Sequence, residues 1–578
     1  MGTELWSRRH DKIRVMASRL TWLPLVVACG VITVSCGSNS SGPGFGTGDD
    51  GGSSGSGSGG SGSGGSGSSS GLFGGDGGGG DGTMTGDPTT CAGAASSHSY
   101  IGCEYWPTVT ANVVWKNFDF AAVVANAGTA TANITVTGPA GTNQTATVAP
   151  GQLTKIYLPW VTVLKGQDAD NCGNAVPFSQ SVLGRSAAYH LVSSVPVTVY
   201  QFNALEYQGM GGPTGKDWSS CLGNQICATQ GVAEGCFSFS NDASLLLPST
   251  AMTGNVRVIG HGGWGTAMIG AYMAVTATQD NTTVNVKVSS TGQIIAGGGI
   301  AATAAGGTLT LTMNAGDVAE LVSGTPDNSD LSGSLVTANN PIQVITGLPC
   351  LNVPDSAPAC DHVEESNFPA ETLGKDYIVA QPPAPHGIGP TGQDVRIYGN
   401  FDNTTLTYSP AMPGCPTTIN AGQVADCGVV SQDFRVQGNN SFAVAMFTQG
   451  ASVVDPQDQP PSQEGDPDET LATAVEQYRT KYVFLAPVDY TENYVTIIAP
   501  SGAAVSIDGA ATTAAPVPLG STGYEVIRQL LLPGQQGAHE LDSAQPVGIQ
   551  VTGYGAYTSY TYPGGLNLNQ ISPPPPAQ

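Results

Sequence analysis

Apolar and polar residues alternate with a period of two along much of the chain after residue 89. The runs are rich in Val, Thr, Ile and Tyr, and Gly, Asn and Asp interrupt them. Alternation of β-branched and aromatic residues predicts half-buried β-strands, and the interrupting residues predict turns. No long amphipathic helix is predicted, and a short one is expected at most over 470–478. The pattern therefore predicts an all-β fold.

An internal repeat emerges when the strands are aligned. Each repeat has a turn followed by a Thr/Val strand, as in DNTTVNVKV and DNTTLTY, and later a closing strand. The closing strands begin at Pro196, Pro341, Ser441 and Pro546. A propeller blade repeats about every 40–50 residues, whereas roughly 100 residues suit a β-sandwich. We therefore predict about four tandem β-sandwich-like modules, with a propeller-like arrangement of the repeats as the alternative.

Composition and the repeat together divide the chain into seven segments. They are a lipoprotein signal peptide (1–35), a Gly/Ser-rich disordered tether (36–88), four β modules (89–243, 244–368, 369–470 and 471–570) and a Pro-rich tail (571–578).

The N-terminus resembles a bacterial secretion signal. Basic residues precede the apolar run at 20–34, which has signal-peptide length and is short for a membrane-spanning helix. Small residues directly before Cys36 resemble a lipobox, so lipidation of Cys36 is predicted. Cys29 is a rival, an ordinary signal peptide is the plain alternative, and Met16 is a second possible start. Gly37 in place of Asp is, by the same resemblance, typical of export to the outer membrane.

The charge balance limits the partners of this protein. Lys and Arg number 18 against 43 Asp and Glu, which gives a formal net charge of -25. Such a surface repels nucleic-acid phosphates and anionic lipids, so no nucleic-acid partner is predicted. Attachment to a membrane is predicted through acyl chains, beyond which the tether holds the β modules away from the lipid.

The cysteines favour disulfides in an oxidising compartment. Of the 12 cysteines, two lie in or beside the apolar N-terminal segment, and no pair of the others has the CxxC spacing of a zinc ribbon. Spacing suggests local pairs but leaves the connectivity open. The ten candidates are Cys91 with Cys103, Cys227 with Cys236, Cys350 with Cys360, Cys415 with Cys427, and the remaining Cys172 and Cys221.

Two segments carry side chains that ligate metals in other proteins. Cys360-Asp361-His362 is followed closely by two glutamates, and the stretch 455–469 is rich in carboxylates. A disulfide loop with solvated charges accounts for the first segment. A solvated, extended loop accounts for the second, which contains prolines and lacks the EF-hand spacing. We therefore predict no metal ligands and no cofactor.

No motif indicates catalysis. The nucleophile-elbow pattern G-x-S-x-G does not occur outside the Gly/Ser tether. The stretch GHGGWG lacks the Lys-Ser/Thr of a phosphate-binding loop and is interpreted as a turn with His261 and Trp264 at its tip. No catalytic residues are predicted, and the chain is expected not to be an enzyme. Four C-terminal tyrosines are expected in the core rather than on a binding surface: Tyr554, Tyr557, Tyr560 and Tyr562.

Several segments together resemble the N-terminal domain of IgGFc-binding proteins. They include SFSNDASLLLPSTAMTGNVRVIG, CDHVEESNFPAETLGKDYIVAQ, VEQYRTKYVFLAPVDYTENYVTIIAP and GYGAYTSYTYPGGLNL. The resemblance covers most of the chain after residue 110. It implies an extracellular, non-enzymatic β module of a cell-surface lipoprotein that binds or adheres to a protein or glycan ligand. Fc binding and ligand-contact residues are not carried over. The alternatives are an extracellular matrix or coat protein and a glycan-acting hydrolase.

Overall fold

β-Strands make up most of the regular structure of this computed structural model, so the all-β prediction is confirmed. The structure describes residues 87–176, 178–264, 268–324, 330–357, 360–459, 462–532 and 537–576. The predicted signal peptide, the lipidation site Cys36 and nearly all of the predicted tether lie outside these residues.

The strands fall into four successive groups along the chain. The first is β1 (Gly102–Tyr105), β2 (Phe120–Asn126), β3 (Ala132–Gly138), β4 (Thr142–Val148), β5 (Gln152–Leu158), β6 (Val182–Gly184), β7 (His190–Phe202) and β8 (Ala243–Leu245). The second is β9 (Asn255–Arg257), β10 (Tyr272–Ala277), β11 (Thr282–Lys287), β12 (Thr308–Met313), β13 (Val318–Val322), β14 (Leu335–Ala338), β15 (Ile342–Leu351) and β16 (Asp361–Ser366).

The third and fourth groups follow the same plan. The third is β17 (Asp376–Val379), β18 (Gln393–Gly399), β19 (Thr404–Ser409), β20 (Thr418–Ile419), β21 (Val424–Val430), β22 (Phe434–Gly438), β23 (Phe442–Thr448) and β24 (Glu469–Leu471). The fourth is β25 (Arg479–Ala486), β26 (Glu492–Pro500), β27 (Val505–Ile507), β28 (Ala510–Ala511), β29 (Val517–Pro518), β30 (Tyr524–Leu531), β31 (Gly537–Gly555) and β32 (Thr558–Pro563).

Helices are short. The α-helices are α1 (Cys91–Ser97), α2 (Thr162–Lys165) and α3 (Ala451–Val454), and one-turn 3-10 helices include Leu222–Asn224, Ser249–Ala251, Ala370–Thr372, Pro385–Gly387 and Val475–Gln477. The short helix expected over 470–478 is wrong, because this segment holds the end of β24 and then a single 3-10 turn. In the part of the chain that the structure describes, no helix is long and apolar enough to cross a membrane.

Each group contains two antiparallel sheets. In the second group the outer sheet has the order β12-β11-β14-β9, and the inner sheet has the order β16-β15-β10-β13 with β6 added at its edge. The third group repeats this with β20-β19-β22-β17 and β24-β23-β18-β21. In the first and fourth groups one long strand, β7 or β31, belongs to both sheets. Alternate residues of the facing strands form the apolar cores between the sheets.

The four inner sheets meet at the strands that end each group. β8 contacts β16, β16 contacts β24, β24 contacts β32, and β32 contacts β8. The groups therefore form a closed, propeller-like ring, which is the alternative arrangement that the repeat allowed. The roughly 100-residue spacing argued against a propeller because a simple blade is a single sheet. Here each repeat contributes a second, outer sheet, which accounts for its length.

The ends of the described chain close the ring. The segment before β1 pairs with the segment after β32, through a bridge between Ser99 and Asn567 and a bond from Tyr100 N to Leu566 O of 3.2 Å. The buried hydroxyl of Tyr100 also accepts a hydrogen bond from Val483 N at 2.8 Å and lies 3.1 Å from Val483 O. The largest apolar core accordingly joins the first and fourth groups.

The repeated DNTT segments form the turns that the sequence indicates. Asn281 and Asn403 have φ angles of 56° and 55°, in the left-handed region that asparagine tolerates. Asn339 and Asn439 then fix the start of the following strands, because their side-chain oxygens accept bonds of 2.7 Å from the backbone of Thr283 and Thr405. The Thr/Val strands therefore begin at equivalent places in the second and third groups.

All ten cysteines of the described residues form disulfides. The bonds are Cys91–Cys103, Cys172–Cys227, Cys221–Cys236, Cys350–Cys360 and Cys415–Cys427. The suggested pairing of Cys227 with Cys236 is wrong, and so is that of Cys172 with Cys221. The loop between β7 and β8 folds back over the segment around Asn171, whose side chain donates to Ile226 O at 3.1 Å. Sequence spacing carries no signal for such a fold.

Closure of the ring can be measured through Tyr100. We expect Tyr100→Phe to lower the free energy of unfolding by about 1–3 kcal/mol, because it leaves the buried Val483 N–H without this acceptor. The matched control is Tyr557→Phe, whose half-buried hydroxyl lies 3.2 Å from Gln463 Oε1, and we expect a change within about 0.5 kcal/mol. Denaturant unfolding followed by tryptophan fluorescence measures both. Equal effects of the two variants would contradict the role of Tyr100.

Candidate functional site

We call β8, β16, β24 and β32 the central strands, and the connections that lead into them meet at one end of the propeller-like ring. The phenyl group of Phe239, before β8, lies 6.1 Å from the phenol group of Tyr557, before β32. Tyr557 N in turn donates to Gln463 O, before β24, at 3.0 Å. The connection before β16 reaches the same place through the Cys350–Cys360 disulfide. We call this end of the molecule the loop face.

The largest of these connections is the segment 203–242 between β7 and β8, which we call the long loop. Its regular structure among the described residues is a 3-10 turn and isolated bridges. The disulfide Cys172–Cys227 holds it against the first group, and Cys221–Cys236 links two of its own residues. Trp115 and Phe118 pack against Cys221 in a small apolar core of its own. Covalent links and this core give the long loop a fixed shape without strands or long helices.

An apolar cavity of about 420 Å³ opens on the loop face. Trp115, Phe237, Phe239 and Tyr557 line it together with the Cys350–Cys360 disulfide. Cavities of this size with aromatic walls bind ligands in many proteins, because ring faces bury large apolar areas at little conformational cost. The cavity is therefore a candidate binding site.

The long loop also presents apolar side chains to solvent. Met210, Ile226 and Val232 are exposed by 65%, 69% and 59%. Ile226 and Val232 lie close together, since Ile226 bridges to Ala233 and Cys227 N donates to Val232 O at 2.8 Å. Exposed apolar groups on a rigid loop beside a cavity are typical of protein-interaction surfaces.

Below the cavity, carboxyl groups are buried along the axis of the ring. We call them the axis carboxyls, and each belongs to a residue with no exposed surface: Asp242, Asp361, Glu364, Glu365, Asp466, Asp468 and Glu469. Their side chains cannot reach solvent, so each must find its partners inside the protein.

The axis carboxyls accept hydrogen bonds from the strands that meet there. Asp242 Oδ2 accepts from the backbone N–H groups of Glu364 in β16 at 2.9 Å and Glu469 in β24 at 3.1 Å. The Glu364 carboxylate accepts from Asn203 at 2.5 Å and Thr110 at 2.7 Å. One carboxyl therefore joins three groups of the ring, and its neighbour joins the second group to the first.

Burial shifts the protonation of these acids. It raises the pKa of Asp242, Asp361, Glu365, Asp466 and Glu469 well above the ordinary range, because water no longer stabilises the charged form. Burial raises the pKa of Asp468 only to about 6, because hydrogen bonds from the hydroxyls of Thr448, Ser559 and Thr561 stabilise its charged form. Burial therefore favours the neutral form of most axis carboxyls, whereas the formal charge of -25 counts every Asp and Glu as ionised.

The segments that resembled metal sites have different places. Cys360 is bound to Cys350 and offers no thiolate, while His362 lies 3.5 Å from Glu364 Oε2 inside the ring. The expectation of solvated charges is wrong for both segments, because Asp361, His362, Asp466 and Asp468 are fully buried. Asp455, Asp458 and Glu464 of the same stretch lie near His386.

The other candidate residues of the sequence lie in the core or in a separate cleft. Tyr554, Tyr560 and Tyr562 are fully buried, as expected, whereas the expected core position is wrong for Tyr557, which is half-buried and lines the cavity. His261 and Trp264 line a polar cleft of about 660 Å³ between the second and third groups, beside Arg396. Sequence reasoning missed Asp242 and the aromatic walls of the cavity. Alignment of the repeats could have identified Asp242, because Asp242, Asp361 and Asp468 all stand at or just before a central strand.

The protonation of Asp468 predicts a pH dependence. Its pKa is about 6 in the folded protein and near its ordinary 3.8 when unfolded. Its contribution to stability is therefore fully present below pH 4 and is lost as the pH rises through 6. Asp468→Asn keeps a neutral side chain at every pH. We expect its stability relative to the parent protein to rise by about 2–3 kcal/mol between pH 4 and pH 7.5.

Denaturant unfolding at several pH values measures this difference. Asp355→Asn, which removes an exposed carboxyl, serves as the control and should show a smaller relative change. A constant stability difference between Asp468→Asn and the parent protein from pH 4 to 7.5 would show that this carboxyl does not gain a proton on folding.

Comparison with known proteins identifies the family. The family model described as IgGFc binding protein matches residues 242–553. The chain is also 30% identical over 148 residues to the IgGFc-binding protein of Homo sapiens, which is 25% of this chain but 2% of the human protein. No solved structure matches the chain significantly. Because the family model covers more than half of its 578 residues, the chain belongs to the IgGFc-binding protein family.

Proposed function

We propose that this protein is a lipid-anchored lipoprotein of the outer membrane and cell surface, and that its ring binds an extracellular protein through the loop face. The observation that carries the proposal is the disulfide-fixed long loop, which exposes Met210, Ile226 and Val232 beside an aromatic cavity. Membership of the IgGFc-binding protein family supports a binding role.

Binding energetics favour a protein ligand at this face. Burial of apolar side chains contributes about 25 cal/mol per Å², and a loop that is already fixed loses little conformational entropy on binding. Aromatic rings that line a cavity also stack on sugars, so a glycan is the second candidate. The exposed aliphatic groups around the cavity favour the protein, because sugars offer them little apolar area.

A non-enzymatic role fits the burial of the acids. A glycan hydrolase needs two carboxyl groups that reach the substrate. The axis carboxyls are sealed from solvent, and those of Asp242 and Glu364 are already bonded to the backbone and side chains of the ring. Their geometry supports a structural role.

The human relative is named for binding to IgG Fc, and the alignment spans a small part of it. Fc is therefore one of the candidate ligands to test with this chain and is not assumed to be its ligand. We expect the purified protein, probed on protein and glycan arrays that include an Fc fragment, to bind one or more proteins.

The long loop provides the decisive variants for this binding. We expect the double variant Ile226→Ser, Val232→Ser to raise the Kd for a protein found on the array at least tenfold, because loss of buried apolar groups at a binding centre costs about 2 kcal/mol. Val517→Ser, which changes a valine of similar exposure in β29, should leave the Kd within about twofold. Binding to glycans alone would favour the second candidate. Absence of hits would favour a matrix or coat protein, and equal Kd values for all variants would show that the hit binds elsewhere than on the long loop.

Lipid anchoring has a test of its own. We expect mass spectrometry of the mature protein to show an acylated Cys36 at the N-terminus and surface labelling of intact cells to reach the protein. Cys36→Ser should abolish acylation and release the protein from membranes, because the acyl chains supply the membrane affinity. Cys29→Ser is the matched control and should leave both unchanged. Acylation that survives in Cys36→Ser would assign the anchor to another residue.

A further inference from the structure

His386 lies within a group of carboxylates where the third and fourth groups of strands meet. It occupies the 3-10 turn Pro385–Gly387. Its Nε2 atom is 3.4 Å from Asp455 Oδ2 and 3.7 Å from Asp458 Oδ2, and its Nδ1 atom is 3.6 Å from Glu492 Oε1. Glu464 completes the set, and one ligand atom from each of His386, Glu464 and Glu492 lies within 4.8 Å of the others.

Two of these carboxylates have buried oxygens without a hydrogen-bond partner. Asp455 is 1% exposed, and its Oδ1 atom accepts no hydrogen bond. Glu464 is 8% exposed, and its Oε2 atom accepts none either. A buried polar oxygen without a partner is costly, and a bound cation can supply that partner.

The carboxylates of the cluster have little positive charge beside them. Among the ion pairs of the described residues, neither Lys nor Arg pairs with any of the four carboxylates, and His386 is the partner of Asp455, Asp458 and Glu492. Asp458 is about half exposed, whereas Asp455 is buried, so the negative charge on Asp455 is the one that water stabilises least. A doubly charged cation would offset the repulsion between these carboxylates.

From this geometry we propose that His386, Asp455 and Asp458 bind a divalent transition-metal cation of the Zn²⁺ class. Four-coordinate Zn²⁺ has bonds of about 2.0–2.2 Å, which places its ligand atoms about 3.3 Å apart. The separations of 3.4 and 3.7 Å from His386 Nε2 are close to this value. Imidazole in the ligand set favours Zn²⁺ over Ca²⁺ and Mg²⁺, which prefer oxygen ligands alone.

The two glutamates suit the outer shell of such a site. Metal-binding histidines usually direct their second ring nitrogen at a carboxylate, which fixes the ring. Glu492 occupies that position beside Nδ1, and its Oε2 atom accepts from His386 N at 2.9 Å and from the hydroxyl of Tyr494 at 2.7 Å. Because Glu492 begins β26 and the ligands belong to the third group, the cation would join two groups of the ring.

Titration of the untagged full chain tests the proposal. We expect isothermal titration of the protein, stripped with EDTA and dialysed, to show saturable binding of one Zn²⁺ per chain, weaker Mn²⁺ binding and little Ca²⁺ binding. Zn²⁺ should also raise the Tm, since a cation that binds the folded state stabilises it. His386→Asn, which keeps a residue that tolerates the φ of 60° at this position, and Asp455→Asn should each weaken Zn²⁺ binding at least tenfold.

The control is Asp508→Asn. Asp508 lies 2.8 Å from His539, so this variant removes a carboxylate beside a histidine outside the cluster, and Zn²⁺ binding should stay within twofold of the parent protein. Circular dichroism of each variant confirms folding, and the half-exposed His386 provides a readout if Asp455→Asn does not fold. Absence of saturable Zn²⁺ binding, preference for Ca²⁺, or unchanged Zn²⁺ binding in folded His386→Asn would overturn the proposal.

Discussion

The meeting of four strand edges on one axis is the constraint on which the rest of the structure depends. An edge strand has unpaired backbone N–H groups, and in the middle of a protein water is not there to satisfy them. Asp242 meets part of this need, because one of its oxygens accepts the N–H groups of Glu364 and Glu469 from two other strands. The buried acids are therefore a consequence of closing the ring, and their position at the start of central strands reflects the repeat.

The same constraint changes how the acidic residues of the sequence are interpreted. Acceptors on the axis must bind backbone N–H groups strongly, and their desolvation must cost little free energy. A carboxyl group meets both requirements when it is protonated or accepts several bonds, and burial raises the pKa of Asp242 and Glu469 accordingly. Counting every Asp and Glu as charged made the stretch 455–469 look like a solvated loop. The fold buries Asp466, Asp468 and Glu469 of this stretch, which composition alone could not show, so the interpretation as a solvated loop is wrong for them.

Local signals in the sequence predicted local structure well. The period-two pattern predicted strands, the DNTT segments predicted turns that place Asn281 and Asn403 in the left-handed region, and the closing strands became β7, β15, β23 and β31. Long-range contacts were not predictable in this way. The pairing of Cys172 with Cys227 depends on how the long loop folds back, and closure of the ring depends on Tyr100 meeting Val483 across the whole chain. Residues far apart in sequence make these contacts, so no window of the sequence contains them.

The repeat also shows why function should concentrate on one face. The closing and central strands are alike in the four groups because the ring requires it, whereas the connections between them are free to differ. The turn between β31 and β32 is tight, while the long loop between β7 and β8 needs two disulfides and its own small core to keep its shape. The two ends of this loop serve the ring through Asn203 and Asp242, but the other groups close with shorter connections. Its exposed apolar side chains are therefore the part of the molecule on which the proposal of an extracellular partner depends.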